Sequence, residues 1–585
     1  MRPPTRLFSV LALVSFVSLP SFAAQDALPK MELKPCTAVP GLPPEARCGT
    51  YEVWENRAAK SGRKIPLLVV VLPAQGPDRL PDPLVYFTGG PGGSSVRAGA
   101  DRIAQALGAV RQRRDLLLVD FRGTGGSAGL FCPELQGSAA NRLMDDYMPP
   151  DRVKACAERL GKTADLTQYT NDTSIDDIDE VRAALGYEKI NLFGISGGSR
   201  SVLVYLRRHP DKVRTAVLWG VAPTDFRNPF SMARDGQQAL DSLIAECEGD
   251  TGETGCRAAF PKLRNEVTAV LGQVAKEPVA VALTDAETGR PMEVRLTRNG
   301  LGQALRYMLY SPSSAVLLPL EVHLAAQGDW KPLAESVRFF ADGLNSAAMG
   351  YNLALTCSED VPFIREDEIP AAVQGTFLGD FRIRAQQAAC AQWPAARLGR
   401  ELLDPVVSDV PVLLISGERD PVTPPANAER AARTLKNSLQ VVVPDGGHDF
   451  DGIEGADCVY RLIAGLVETG TVKGLDTSCL ERTKRPEFAL KRDPDVELPA
   501  DQLARLAGTY KDRESGYEMR IETLGRQLRS AADRQRPVVL VATSPTRFRI
   551  EGLPGSFFDF QITEGRATAC TLVEPGSTPY TLTRD

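Results

Sequence analysis

The chain is 585 residues long, 43% apolar and 24% charged, with a formal net charge of -6. That length exceeds what one hydrophobic core organises, so two or more domains are expected, with the composition of a soluble globular protein. Lys and Arg (68) are outnumbered by Asp and Glu (74) and form no recurring basic cluster, which argues against a nucleic-acid partner.

Arg2 and Arg6 precede an apolar run from Leu7 to Leu19, closed by Pro20 and Ser21-Phe22-Ala23-Ala24. A short apolar segment ending in small residues reads as a cleavable export signal over residues 1–24, too short to span a bilayer. Delivery to the periplasm or the medium is expected, with no stable membrane insertion after cleavage. No cysteine follows closely, which argues against a lipid anchor. The eleven cysteines fall into local couples: Cys36 with Cys48, Cys132 with Cys156, Cys247 with Cys256, Cys357 with Cys390, and Cys458 with Cys479. Neighbour pairing is the simplest of many connectivities; it gives five disulfides, leaves Cys570 spare, and suits an oxidising compartment. No C-x-x-C pair occurs and histidines number three, so no zinc or other metal site is expected.

After an irregular proline-rich stretch to about residue 48, strands are expected at Tyr51–Trp54, Ile65–Leu72, Pro83–Thr88 and Leu116–Asp120. Ala98–Arg111 is helix-compatible, and Asp176–Leu185 has an amphipathic pattern. Further strands follow at Ile190–Phe193, Val213–Leu218, Val412–Ile415 and Leu439–Val443. Continuous Val/Ile/Leu runs alternating with helices predict an α/β fold, a mostly parallel sheet covered on both faces. Active sites of such sheets lie outside the carboxyl ends of the strands. Between about 226 and 400 the strand rhythm stops, and Ser231–Glu246, Leu301–Leu309, Ser313–Gln327 and Lys331–Leu344 read as helices of a lid. From about 485 short strands return at regular spacing, predicting a small antiparallel sheet or barrel. The expected division is a core in two parts, 25–225 and 401–484, a helical lid at 226–400, and a C-terminal β domain at 485–585.

The stretch that organises the rest is Phe193-Gly194-Ile195-Ser196-Gly197-Gly198, a G-x-S-x-G between a strand and the helix-compatible run Ser201–Arg208. Glycines around Ser196 permit a strained turn that exposes the hydroxyl, as a nucleophile requires. A serine needs a base. His448 follows the strand Leu439–Val443 and the turn Pro444–Gly447, at the active-site edge, whereas His209 ends a surface helix and His323 sits in the lid. The acid expected between serine and histidine in chain order is Asp420, past the strand Val412–Ile415, with Glu418 as the alternative. An oxyanion needs two aimed donors, each contributing about 3 kcal/mol. The amide of Gly197 supplies one; the Gly89–Gly93 turn supplies the other, from Gly90 or alternatively Gly89.

Gly89-Gly90-Pro91-Gly92-Gly93, Asp120-Phe121-Arg122-Gly123-Thr124-Gly125, the region Asp176–Ser199, and Gly417–Pro424 with Gly447-His448 together resemble the proline iminopeptidase and tripeptidyl aminopeptidase family of serine exopeptidases. The similarity spans roughly residues 50–480. Thr88 stands where the family's glycine turn begins with His, and Gly197 where secreted members often carry an aromatic residue. The resemblance implies an α/β-hydrolase fold, a peptide substrate, acylation of Ser196 and no cofactor. It also implies lid carboxylates that hold the substrate's free amino terminus, for which Glu359 and Asp360 in Cys357-Ser358-Glu359-Asp360 are the candidates; the alternative for these is a helix cap. Two other functions compete with an aminopeptidase: a carboxylesterase or lipase-like hydrolase using the same triad, and an idle binding protein on the same scaffold. An aminopeptidase needs the substrate's ammonium group, and an esterase is indifferent to it.

Overall fold

A computed structural model of the chain describes residues 30–37, 39, 42–135, 147–343, 347–512, 517–532, 537–574 and 579–585. The expected export signal lies outside the described residues. The central sheet is built from β1 (Lys34–Pro35), β2 (Arg47–Trp54), β3 (Lys64–Leu72), β4 (Leu84–Phe87), β5 (Leu116–Val119), β6 (Ile190–Ile195) and β7 (Val213–Trp219). A hairpin, β8 (Val279–Thr284) with β9 (Pro291–Leu296), lies apart, and β10 (Val412–Gly417) and β11 (Ser438–Val443) complete the sheet. Its order is β1-β2-β3-β5-β4-β6-β7-β10-β11. The edge from β1 to β5 is antiparallel, and from β5 through β4 to β11 every pairing is parallel.

The parallel part forms because its strands have no polar face to offer water. All four residues of β4 and of β5 are buried. Alternation then divides them between two cores, since successive side chains point to opposite faces. Val85, Leu117, Val119 and Leu192 join the layer on one face, and Tyr86, Leu118, Phe193 and Val217 that on the other.

Two helices differ from expectation. The predicted 176–185 helix starts earlier, at Asn171, because Thr170 and Thr173 cap it reciprocally: Thr173 N donates to Thr170 Oγ1 at 3.3 Å and Thr170 N to Thr173 Oγ1 at 3.1 Å. Its polar first turn hid that start. The predicted 98–111 helix is instead a chain of short pieces, Ser95–Ala98, a wide turn at Gly99–Ile103, Ala104–Ala106 and Gly108–Arg111. Gly99 packs so closely on the sheet that an added Cβ would stand 2.4 Å from Leu118 Cδ2.

Between β7 and β10 the chain forms the helical insertion. Its helices Met232–Gly249, Leu263–Lys276, Arg298–Met308, Leu318–Ala326 and Lys331–Gly343 share a core of residues such as Leu243, Val270, Leu305 and Val337. The β8–β9 hairpin inside this insertion was not anticipated: Val279–Leu283 is a short apolar run, of the kind that periodicity alone does not separate from a buried helix segment.

The C-terminal strands β12 (Gly508–Lys511), β13 (Glu518–Leu524), β14 (Gln527–Ala532), β15 (Val538–Ala542), β16 (Arg547–Ile550), β17 (Leu553–Thr563), β18 (Arg566–Val573) and β19 (Tyr580–Arg584) close into an antiparallel barrel, with β19 pairing back to β12. Closure removes the edges that an open sheet would expose. Arg549 of the barrel pairs with Glu335 of the insertion at 2.9 and 3.2 Å, and Arg338 with Glu551 at 3.0 Å, fastening the two together. The cysteines pair as neighbours, Cys36–Cys48, Cys132–Cys156, Cys247–Cys256, Cys357–Cys390 and Cys458–Cys479. Cys570 is free inside the barrel, where burial pushes its thiol up to about 12. No helix among the described residues is long and apolar enough to cross a membrane.

Candidate active site

β6 runs into a turn centred on Ser196, and the helix Gly197–Arg208 leaves it. Ser196 sits at φ 56° and ψ -121°, a conformation that costs a non-glycine residue about 1–3 kcal/mol. The surroundings enforce it. Ser196 N donates to Trp219 O at 2.8 Å, and the neighbouring glycines leave no room for side chains. An added Cβ on Gly194 would stand 2.3 Å from Gly198 O, and one on Gly198 2.3 Å from Phe87 O. Gly198→Ala is therefore expected to cost about 1–3 kcal/mol by overpacking and to lower activity by displacing Ser196. Urea unfolding measured beside turnover checks both effects.

The Gly89–Gly93 turn follows β4 and lies directly against Ser196. An added Cβ on Gly89 would stand 2.9 Å from Ser196 Cβ, and one on Gly197 would stand 3.6 Å from Gly90 N. The Gly90 and Gly197 backbones therefore face each other beside the serine. Asp120 ties this turn to the next: its carboxylate accepts from Ser94 Oγ at 2.8 Å, Val96 N at 3.0 Å and Gly126 N at 2.8 Å.

Asp420 lies in the loop after β10, 2% exposed. Its Oδ1 accepts from the amides of Val422 (2.8 Å) and Thr423 (2.9 Å), and its Oδ2 from Thr423 Oγ1 (2.7 Å). Oδ2 also meets His448 Nδ1 at 2.8 Å. Burial opposes the carboxylate's charge, but His448 and the Thr423 donors outweigh it and hold Asp420 below the usual range. Burial likewise opposes a charged imidazole, and Asp420 outweighs it, raising His448. The two directions agree: each partner favours the other's charged form.

His448 is held from three sides. Trp219 Nε1 donates to His448 O at 3.2 Å, so one residue of β7 anchors both the serine turn and the histidine loop. Tyr310, from the insertion, lies edge-on to the imidazole at 5.0 Å, and its carbonyl accepts from Asp449 N at 3.1 Å. Gly447 permits this approach, since a Cβ there would stand 2.2 Å from Tyr310 O. Ser311 Oγ closes the contact on the Asp449 carboxylate at 2.6 and 2.7 Å.

The alternative candidates are engaged with other partners. His209 bonds Asp176 at 3.0 Å, His323 bonds Glu266 at 3.0 Å, and Glu418 accepts from Asp445 N at 2.9 Å. Glu359 and Asp360 end the helix Met349–Glu359 and are buried. Glu359 accepts from Asn171 N and Asn171 Nδ2, both at 2.7 Å, while Asp360 pairs with Arg200 at 2.8 Å. Burial, opposed by Arg200 and Asn171, pushes Glu359 up to about 7. Both carboxylates are thus occupied within the fold, and holding a substrate ammonium would require these bonds to break. Glu359→Ala, which strands two buried donors, is expected to cost about 2–4 kcal/mol, read by urea unfolding.

Trp219, Thr423 and Tyr310 escaped sequence reading. A tryptophan at a strand end, a threonine before a proline and a tyrosine in a helical insertion carry no local signal of their partners. Beside Asp420 opens a cavity of about 440 Å³, lined by Asp235 and Ser242 of the insertion and by Glu418 and Asn427 of the core.

Comparison with known proteins accords with this geometry. Residues 82–244 match the family described as alpha/beta hydrolase fold, and residues 375–479 the family described as TAP-like protein. The chain is an α/β-hydrolase. Serine protease Hip1 of Mycobacterium tuberculosis is 24% identical over 509 residues, covering 80% of this chain and 95% of that protein. A tripeptidyl aminopeptidase of Streptomyces lividans is 30% identical over 211 residues, 34% of this chain and 39% of that one. The meta-cleavage product hydrolase of Pseudomonas fluorescens aligns over 69% of this chain and 94% of its own, at 14% identity and a TM-score of 0.33. Both matched families and the names of these relatives support a serine hydrolase of the α/β-hydrolase type.

Proposed function

We propose that the chain is an exported serine aminopeptidase, with Ser196 as nucleophile, His448 as base, Asp420 as its orienting acid, and the amides of Gly90 and Gly197 as oxyanion donors. The observation that carries this is the buried Asp420–His448 pair, 2.8 Å apart, linked through Trp219 to a serine in a strained turn between strand and helix. Asp420 fixes the proton on Nδ1 and leaves Nε2 free to accept one. Ser196 Oγ attacks the peptide carbonyl while its proton passes to Nε2; this transfer is the step the proposal adds to the geometry. The carbonyl oxygen gains the negative charge between the two glycine amides. His448 then gives its proton to the departing amine, and the C–N bond breaks. Water, deprotonated by the same nitrogen, releases the acyl group and restores Ser196. Five disulfides favour an oxidising destination, and the amino-terminal apolar run favours export.

Tripeptidyl and single-residue chromogenic amides, each free and amino-blocked, test the exopeptidase reading. Turnover of the free forms alone is expected. Equal turnover of blocked and free forms would contradict it.

A further inference from the structure

Two arginines of the insertion carry charge into the protein interior and, among the described residues, meet no carboxylate. Arg306 (1% exposed) lies in the helix Arg298–Met308 and Arg382 (5% exposed) in the helix Phe381–Cys390. The other buried arginines of the core and barrel have carboxylates: Arg122 has Asp177, Arg200 has Asp360, and Arg549 has Glu335. Arg306 and Arg382 have tyrosines instead. The Arg306 guanidinium lies 4.6 Å from the Tyr307 ring and 5.3 Å from that of Tyr310, and donates to the Tyr310 hydroxyl at 3.0 Å. The Arg382 guanidinium lies 3.5 Å from the Tyr147 ring.

Among the described residues, Arg306 Nε and Arg382 Nε and Nη1 are buried without a hydrogen-bond partner, as are both carboxamide atoms of Gln303, one turn before Arg306. Burial, with the like charge of Arg306 adding to it, holds Arg382 below its usual range. A buried guanidinium without an anion is costly, and perturbed, incompletely partnered charges concentrate where a ligand completes them. The place is telling. Tyr310 touches Arg306 with its hydroxyl and His448 with its ring edge. One tyrosine therefore stands between the guanidinium and the imidazole, its ring 5.3 Å from the first and 5.0 Å from the second.

We infer that Arg306 and Arg382, with Tyr147, Tyr307 and Tyr310, form a substrate subsite for a carboxylate, supplied by the free carboxyl end of a short peptide or by an Asp or Glu side chain near the bond cleaved. This deepens the peptidase reading and rests on it. A guanidinium fork can hold one carboxylate bidentately, and the negative charge placed beside both cations lowers their mutual repulsion. Arg306 and Arg382 act here as specificity residues.

The test is calorimetric binding to the Ser196→Ala protein of four peptides: Ala-Ala-Ala as free acid and as amide, and the amides of Ala-Ala-Glu and Ala-Ala-Gln. At least one charged member is expected to bind about thirtyfold tighter than its neutral counterpart. Preference within the first pair assigns the carboxyl terminus, and within the second the acidic side chain. Arg306→Met and Arg382→Met, each added to Ser196→Ala, should bring the preference ratio toward one. Should either fail to fold by thermal melting, Arg306→Lys and Arg382→Lys replace them and should reduce the ratio by about tenfold, since lysine lacks the fork. Equal affinity for charged and neutral peptides, or a preference that survives these substitutions, overturns the inference. Binding needs no turnover, so failure of the proposed catalysis would appear separately, as wild type that hydrolyses no free-amine amide.

Discussion

Ser196→Ala is expected to lower kcat by about six orders of magnitude while leaving the melting temperature nearly unchanged. Loss of a triad serine in an enzyme of this kind has an effect of that size because nucleophile, base and acid act as one unit. Ser196 also holds a strained backbone conformation, at φ 56°. Alanine keeps the same turn, because the amide bond to Trp219 O and the tight glycine contacts are made by backbone. A large fall in stability beside the loss of activity would mean that the hydroxyl holds the fold.

Asp420→Asn is expected to lower kcat by about four orders of magnitude, the effect of presenting the wrong imidazole tautomer. The side chain's size is kept, but its partners are not. Oδ1 and Oδ2 accept four bonds, from Val422 N, Thr423 N, Thr423 Oγ1 and His448 Nδ1, and an amide nitrogen cannot accept. The pH profile should move in a defined direction. An imidazole acts as a base only when neutral, and Asp420, outweighing burial, holds His448 above the usual imidazole range. In wild type kcat/KM is therefore expected to climb with pH through a value above that range. Without the carboxylate that limb moves to lower pH. An unchanged limb would assign the acid role to another group, with Glu418 the first to examine.

The sheet was legible because β4, β5 and the Val412–Ile415 part of β10 are continuous apolar runs that only a two-sided core accommodates. Ser196, Asp420 and His448 could be singled out for a related reason: each follows a predicted strand, where glycine or proline turns mark the carboxyl edge. Contacts between distant segments left no such mark. Tyr310 reaches His448 from 138 positions away, and its approach depends on the bare backbone of Gly447. Glu359 and Asp360 are a different case: an acidic pair beside a bridged cysteine suggested an amine-binding spot, and the sequence held no sign that Asn171 and Arg200 would occupy both carboxylates. The barrel's closure was likewise out of reach, since β19 finds β12 across the whole C-terminal domain.

The most direct test of the central claim is to label the wild-type protein with a fluorophosphonate and locate the adduct by peptide mass spectrometry. Such a reagent reports a serine activated by its base, whatever the natural substrate. The account predicts one phosphonylated site, Ser196, and no labelling once His448 is replaced by alanine. An adduct on a different serine, or labelling that survives the loss of His448, would contradict it.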